Sequence, residues 1–167
     1  MTAPTPAMMP RRTDLLRVAS LGHAVPSGRR GLLVDLENFL HCTHTGGWVS
    51  AQDADRRLRR VLDVEADFRL GVCAPGLVAS YLGRSSVVGA DVLPLRVCPN
   101  APDAADRMLL EVAEHLLSVG FTAFTVASGD HAFCELAERA DLDVVVANQH
   151  ALSGDLAACA TTVRVLA

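Results

Sequence analysis

Between residues 30 and 167 short apolar runs alternate with helix-forming stretches, and few architectures accept such a chain. Residues 31–36 (GLLVDL) are an apolar run with a single acid near the end, the pattern of a strand buried on both faces. Ser50 is placed to cap a helix over 51–62. Residues 68–74 (FRLGVCA) predict a second strand, and Pro75 starts a short helix through Tyr81 and Leu82. Residues 91–98 (DVLPLRVC) predict a third strand, confined to a sheet edge because Pro94 has no N–H to donate. Pro102 opens and Gly120 closes the longest helix, with Ala105, Leu109, Val112, Ala113 and Leu116 on one stripe. Strand 121–127, helix 131–140, strand 143–147, a short helix capped by Ser153 and strand 162–166 complete the series. The alternation predicts an α/β fold, a sandwich of helices on both faces of a mainly parallel sheet with five or six strands.

With 167 residues, half of them apolar, the chain has the size of one domain with a sizeable core. Residues 1–29 carry Pro4, Pro6, Pro10 and Pro26 and the arginines Arg11, Arg12, Arg17 and Arg29 against one acid, Asp14. They read as a flexible basic tail before a single domain over 30–167. The five cysteines (Cys42, Cys73, Cys98, Cys134 and Cys159) are odd in number and form no CxxC pair. That usage suits reduced thiols in a cytoplasmic protein better than a disulfide framework. No run approaches the ~20 apolar residues of a membrane span, so no membrane partner is expected. The 15 basic residues are all arginine. Without lysine, a P-loop, a Schiff-base mechanism and the lysine-dependent phosphatase sites are excluded.

Parallel sheets bind ligands beyond the carboxyl ends of their strands, where the strand order reverses. The residues at those ends are Asp35 and Asn38, then Ser128 and Asp130, then Asn148, with Asp103 and Asp106 at the start of the long helix. If the first and fourth strands are neighbours, Asp35, Asp106 and Asp130 meet in one crevice. Carboxylates so gathered repel one another, and a hard divalent cation, Mg²⁺ or Mn²⁺, resolves the repulsion. The chemistry this suits is phosphodiester hydrolysis by a metal-activated water. Simpler roles compete with this. Asp130 can be a helix cap, and Asp103 and Asp106 favour a helix N-terminus through its dipole. Asp35 has the weakest alternative, because an acid directly after an apolar strand is buried and needs a partner.

Three segments resemble the NYN branch of the PIN-like nucleases. Val34-Asp35-Leu36-Glu37-Asn38 is similar to the family's I-D-x-x-N at the end of its first strand. Asp106-Arg107-Met108-Leu109 is similar to its helical D-x-x-L, and Ser128-Gly129-Asp130-His131-Ala132-Phe133 to its S-G-D-x-D-F. The resemblance covers about 30–167 and implies a three-layer α/β/α fold with strand order 3-2-1-4-5. It implies a metal-dependent ribonuclease in which Asp35, Asp106 and Asp130 hold Mg²⁺ or Mn²⁺; Asp103, at the start of the long helix, is a further candidate ligand by its position. Asn38 and Ser128 would position these groups or a water, and single-stranded RNA would be the substrate. Two departures accompany it: Ala132 replaces the second acid of S-G-D-x-D-F, and Val112 stands where the family has another acid on the long helix. The alternative is therefore a weak or inactive NYN-like module that binds RNA or a protein.

Other features carry less. His131 reads as a surface histidine that can also reach substrate. Arg56 and Arg60, in the cluster at 56–60, are either a solvated helix face or contacts to phosphate. His41, Cys42 and His44 lack the second ligand pair of a zinc site but sit near the mouth of the expected crevice. Trp48 and Tyr81 are the only tryptophan and tyrosine, too few aromatics to suggest a base-stacking platform. The last strand, apolar and at an edge, is where a second copy can pair to form a homodimer. A small-molecule phosphohydrolase is disfavoured because Asp35-Leu36-Glu37 lacks a D-x-D nucleophile pair.

Overall fold

A computed structural model describes residues 28–42, 47–80, 82, 85–89 and 92–166. The six main strands are β1 (Arg29–Asp35), β4 (Phe68–Cys73), β5 (Leu95–Val97), β6 (Phe121–Ala127), β7 (Asp141–Val146) and β8 (Thr162–Val165). A two-stranded hairpin, β2 (His41–Cys42) with β3 (Gly47–Trp48), stands apart from them. All pairings in the main sheet are parallel, in the order β5-β4-β1-β6-β7-β8. Counted along that sheet alone the order is 3-2-1-4-5-6, which differs from the five-strand series by one strand added outside the fifth.

Side-chain alternation along β1 divides the core. Leu32 and Val34 face helices α1 (Leu36–Leu40), α2 (Ala51–Leu62) and α3 (Pro75–Ser80), where Leu36, Phe39, Leu58 and Leu77 are buried. Leu33 faces the opposite layer, where α4 (Ala104–Ser118) buries Ala105, Leu109, Ala113 and Leu116. Phe133, Leu136 and Leu156 continue that layer from a 3₁₀ turn (His131–Phe133), α5 (Cys134–Ala137) and α6 (Gly154–Cys159). The fold is thus a three-layer α/β/α sandwich. Among the described residues no helix is long and apolar enough to cross a membrane.

Several expected boundaries change. Arg29 belongs to β1 and not to the tail; its guanidinium lies 4.4 Å from the centre of the Phe121 ring and pairs with Asp67. The rest of the expected tail, apart from Gly28, lies outside the described residues, as do Tyr81 and His44. The third strand shrinks to Leu95–Val97 at the sheet edge, because Pro94 precedes it and offers only its carbonyl, which accepts from the Gly71 N–H. The long helix starts at Ala104, two residues after Pro102. Its N-cap, Asp103, takes a left-handed conformation (φ 54°). The expected helix over 131–140 divides into the 3₁₀ turn and the four-residue α5. At the far edge β8 leaves Val163 and Val165 exposed.

Candidate functional site

Because β1 lies between β4 and β6, the chain leaves the sheet in opposite directions on either side of it, and a crevice opens at its carboxyl end. Val34 is in register with Ala127, so Asp35 and Ser128 are the next residues along two adjacent parallel strands. Asp35 is only 4% exposed. It caps α1, accepting the N–H groups of Glu37 and Asn38 at 3.2 Å each, and its Oδ2 accepts the Ser128 hydroxyl at 3.3 Å. Asn38, one turn into α1, reaches across to accept the Gly129 N–H at 2.9 Å. That bond locks the Ser128-Gly129-Asp130 turn against the end of β1.

Gly129 is required at this turn. A Cβ there would lie 1.6 Å from the carbonyl oxygen of Ala151, so a second turn (Gln149–Ala151) packs directly against it. Asp130 receives the Ser128 hydroxyl as acceptor for its own N–H at 3.2 Å, and its Oδ1 accepts the Ala132 N–H at 2.9 Å. The capping role foreseen for Asp130 is therefore present, and its carboxylate also lines the crevice.

Asp106, in the first turn of α4, comes in from the opposite wall and is 8% exposed. Its Oδ1 is buried and has no hydrogen-bond partner. Asp103 lines the same crevice, and its side chain makes no cap hydrogen bond. The crevice has a volume of about 480 Å³, and five carboxyl groups line it: Asp35, Glu37, Asp103, Asp106 and Asp130. No arginine is among the lining residues, and no arginine pairs with Asp35 or Asp106 among the described residues.

The electrostatics follow from this crowding. Burial pushes the Asp35 carboxyl up to about 7; the Asn38 N–H opposes the rise, and the charge of Asp106 and a hydrogen bond to it add to it. Asp106 is also raised, by burial first and then by the charge of Asp130; the hydrogen bond from Asp35 pulls the other way. The two acids titrate as a pair, both held above the ordinary carboxylate range by burial and by the charges around them.

No family model matches the chain, and no curated protein matches it. A solved structure from Vibrio parahaemolyticus, a protein of unknown function, is similar in fold. It covers 84% of this chain and 94% of its own, with a TM-score of 0.57 and 13% identity. The likeness extends to the fold alone.

The structure brings together only part of the expected metal set. Among the described residues no group of three or more His, Cys, Asp or Glu side chains is arranged to hold a metal. What does converge is the pair Asp35 and Asp106, with Asp130 and Asp103 along the same crevice but not joined to them in such a group. The pair fits a hard cation in one respect that matters: a buried, unpartnered carboxylate oxygen beside a second carboxyl whose ionisation is suppressed. Mg²⁺ is commonly held by one or two carboxylates with water completing the shell.

Residues assigned to substrate fare differently. Ser128 is fully buried and donates its hydroxyl to Asp35, in keeping with the positioning role expected of it. The His131 side chain is 72% exposed and pairs with Asp130 at 3.2 Å, outside the crevice lining. Arg56 pairs with Asp53 on α2, and neither Arg56 nor Arg60 lines the crevice. The lining includes two residues the sequence did not single out, Glu37 and His150, together with Trp48 and His41. Glu37 had a signal, an acid two residues after Asp35. His150 had none, since its place depends on the turn that packs on Gly129.

Proposed function

We propose that this protein hydrolyses phosphodiester bonds in RNA with Mg²⁺ or Mn²⁺ held by Asp35 and Asp106. The observation that carries this reading is the buried, unpartnered Oδ1 of Asp106, a residue in the wall of a crevice lined by only acids and two imidazoles as ionisable groups. A polyanion would be repelled from that lining, so a phosphate approaches only with a cation already present. Bound there, the cation supplies charge for a phosphoryl oxygen and acidifies a water. Asp35 is held by three hydrogen bonds in one orientation, and Asn38 keeps the Ser128-Gly129-Asp130 turn in register with it. With its Oδ1 occupied by the Ala132 N–H and by His131, Asp130 has Oδ2 left to accept the proton of the attacking water.

One observation favours the weaker reading, a module that binds RNA without cutting it. Ala132 gives the turn only its N–H, and the acids form no three-membered metal group. A cleavage assay decides between them. Labelled single-stranded RNA with Mn²⁺ or Mg²⁺ should be cut by the wild type and spared when EDTA is added or Asp35→Asn is made. Equal cutting by wild type and Asp35→Asn refutes the assignment. Binding without cutting under either metal selects the module.

A further inference from the structure

We propose that Trp48 is the platform on which an unpaired base next to the scissile phosphate stacks, a proposal that rests on the nucleic-acid reading above. Trp48 is 45% exposed, a large apolar surface left in water on a two-residue strand. It stands at the junction of two clefts. The acidic crevice has Trp48 and Glu37 in its lining, and so does a neighbouring cleft of about 510 Å³ bounded by Ala74, Pro75, Leu77 and Asn100. Trp48 therefore borders both the carboxylate crevice and a hollow with a largely apolar wall, whose polar side chains are Glu37 and Asn100.

The ring is held in place. His41 is its partner across the hairpin and packs against it edge-on, with centroids 5.7 Å apart and planes at 90°. The following residue, Val49, donates its N–H to the Leu40 carbonyl at 3.1 Å, which ties the hairpin to α1, the helix that Asp35 caps. Trp48 thus lies on the same short piece of chain as two of the acids, Asp35 and Glu37. Stacking on tryptophan tolerates any base, and the Asn100 amide offers a donor and an acceptor to the base edge. A base inside a duplex is already stacked on both faces, so this arrangement selects single strands.

Trp48 is the only tryptophan, which makes its fluorescence a direct readout. In the wild-type protein with Mg²⁺, a short single-stranded phosphorothioate oligoribonucleotide, slow to be cut, should quench that emission, and an abasic phosphorothioate chain of equal length should leave it unchanged. Trp48→Ala should weaken binding of the end-labelled oligonucleotide, read by anisotropy, by roughly five- to a hundred-fold, with Trp48→Phe restoring most of it. Absent quenching, equal quenching by the abasic chain, or unchanged affinity in Trp48→Ala overturns the proposal. These readouts need no cleavage. Quenching by the oligonucleotide without any metal-dependent cutting sinks the hydrolase reading alone, and Asp35-dependent cutting without quenching sinks the Trp48 platform alone.

Discussion

Replacing Asp35 by asparagine should stabilise the metal-free protein, and the gain should depend on pH. The folded chain holds a proton on Asp35 up to about pH 7, whereas the unfolded chain releases it near 3.8. Between those values the folded state binds the extra proton, so stability contributed by this group is complete below pH 3.8 and is lost as pH rises through 7. A displacement of about three units corresponds to about 4 kcal/mol at most. Asparagine carries no charge to desolvate, still accepts the Glu37 and Asn38 N–H groups as a cap, and has an amide N–H₂ to offer the unpartnered Asp106 Oδ1. Imperfect packing of the amide reduces the benefit, leaving about 2 kcal/mol at pH 8, or about 4–8 °C in Tm for a domain of this size.

The assay is thermal unfolding from pH 5 to 8 in EDTA. Wild type should lose stability across that range and Asp35→Asn should lose less, the two curves meeting near pH 5. Mg²⁺ at about a hundred times its dissociation constant should restore about 3 kcal/mol to the wild type at pH 8 and little to the variant. A wild-type curve no steeper than that of Asp35→Asn would show that the carboxyl ionises without penalty, and the argument for a cation would go with it.

Three further outcomes are expected. Ala132→Asp should tighten Mn²⁺ binding measured by calorimetry, because it adds a carboxylate on the turn that carries Asp130; unchanged affinity would mean that this position does not reach the ion. Gly129→Ala should cost about 3 kcal/mol or more in urea unfolding, since backbone and not a flexible side chain blocks its Cβ at 1.6 Å. Diamide should join Cys134 to Cys159, whose sulfurs are 2.9 Å apart, with thiol titration showing the loss of both. The reaction should be slow at pH 7 and accelerate in alkali, because burial and the neighbouring Cys159 push the Cys134 thiol up to about 11.

What could be read in advance depended on whether a residue's role is set locally. Ser50 capping α2 and the apolar run 121–127 are local facts, and both elements have the expected bounds. Residues 92–94 stay out of the strand expected over 91–98 because Pro94 leaves the ladder a donor short, an effect the sequence displays but whose extent depends on β4. The helix over 131–140 broke because Asp130 caps a tight 3₁₀ turn that buries Phe133, a tertiary demand that helical periodicity does not reveal. In the site, Asp35 and Asp106 were legible as acids beside apolar segments. A count of aromatics does not reveal that the β2–β3 hairpin carries Trp48 to the crevice. Arg56 and Arg60 lie on α2 outside the crevice lining, and the exposed Arg56–Asp53 pair agrees with the solvated helix face, one of the two readings that charge alone allows.

The capping role of Asp35 explains an acceptor at that position but not a charge. Serine, threonine or asparagine would receive the same two N–H groups with no ionisable proton. A buried carboxylate adds to the cap a desolvation cost and repulsion from Asp106, both visible as a carboxyl pushed up to about 7. The same surplus recurs on the opposite wall. Asp106 enjoys the favourable end of the α4 dipole, yet one of its oxygens is left buried and unpartnered, which that dipole does not compensate. Two positions where a neutral residue would serve the fold as well, both occupied by acids and both facing one crevice, are economical only if something positive enters between them. Protons meet that need at low pH. Near neutrality the divalent cation proposed above would meet it, and would then be the group that admits a phosphate.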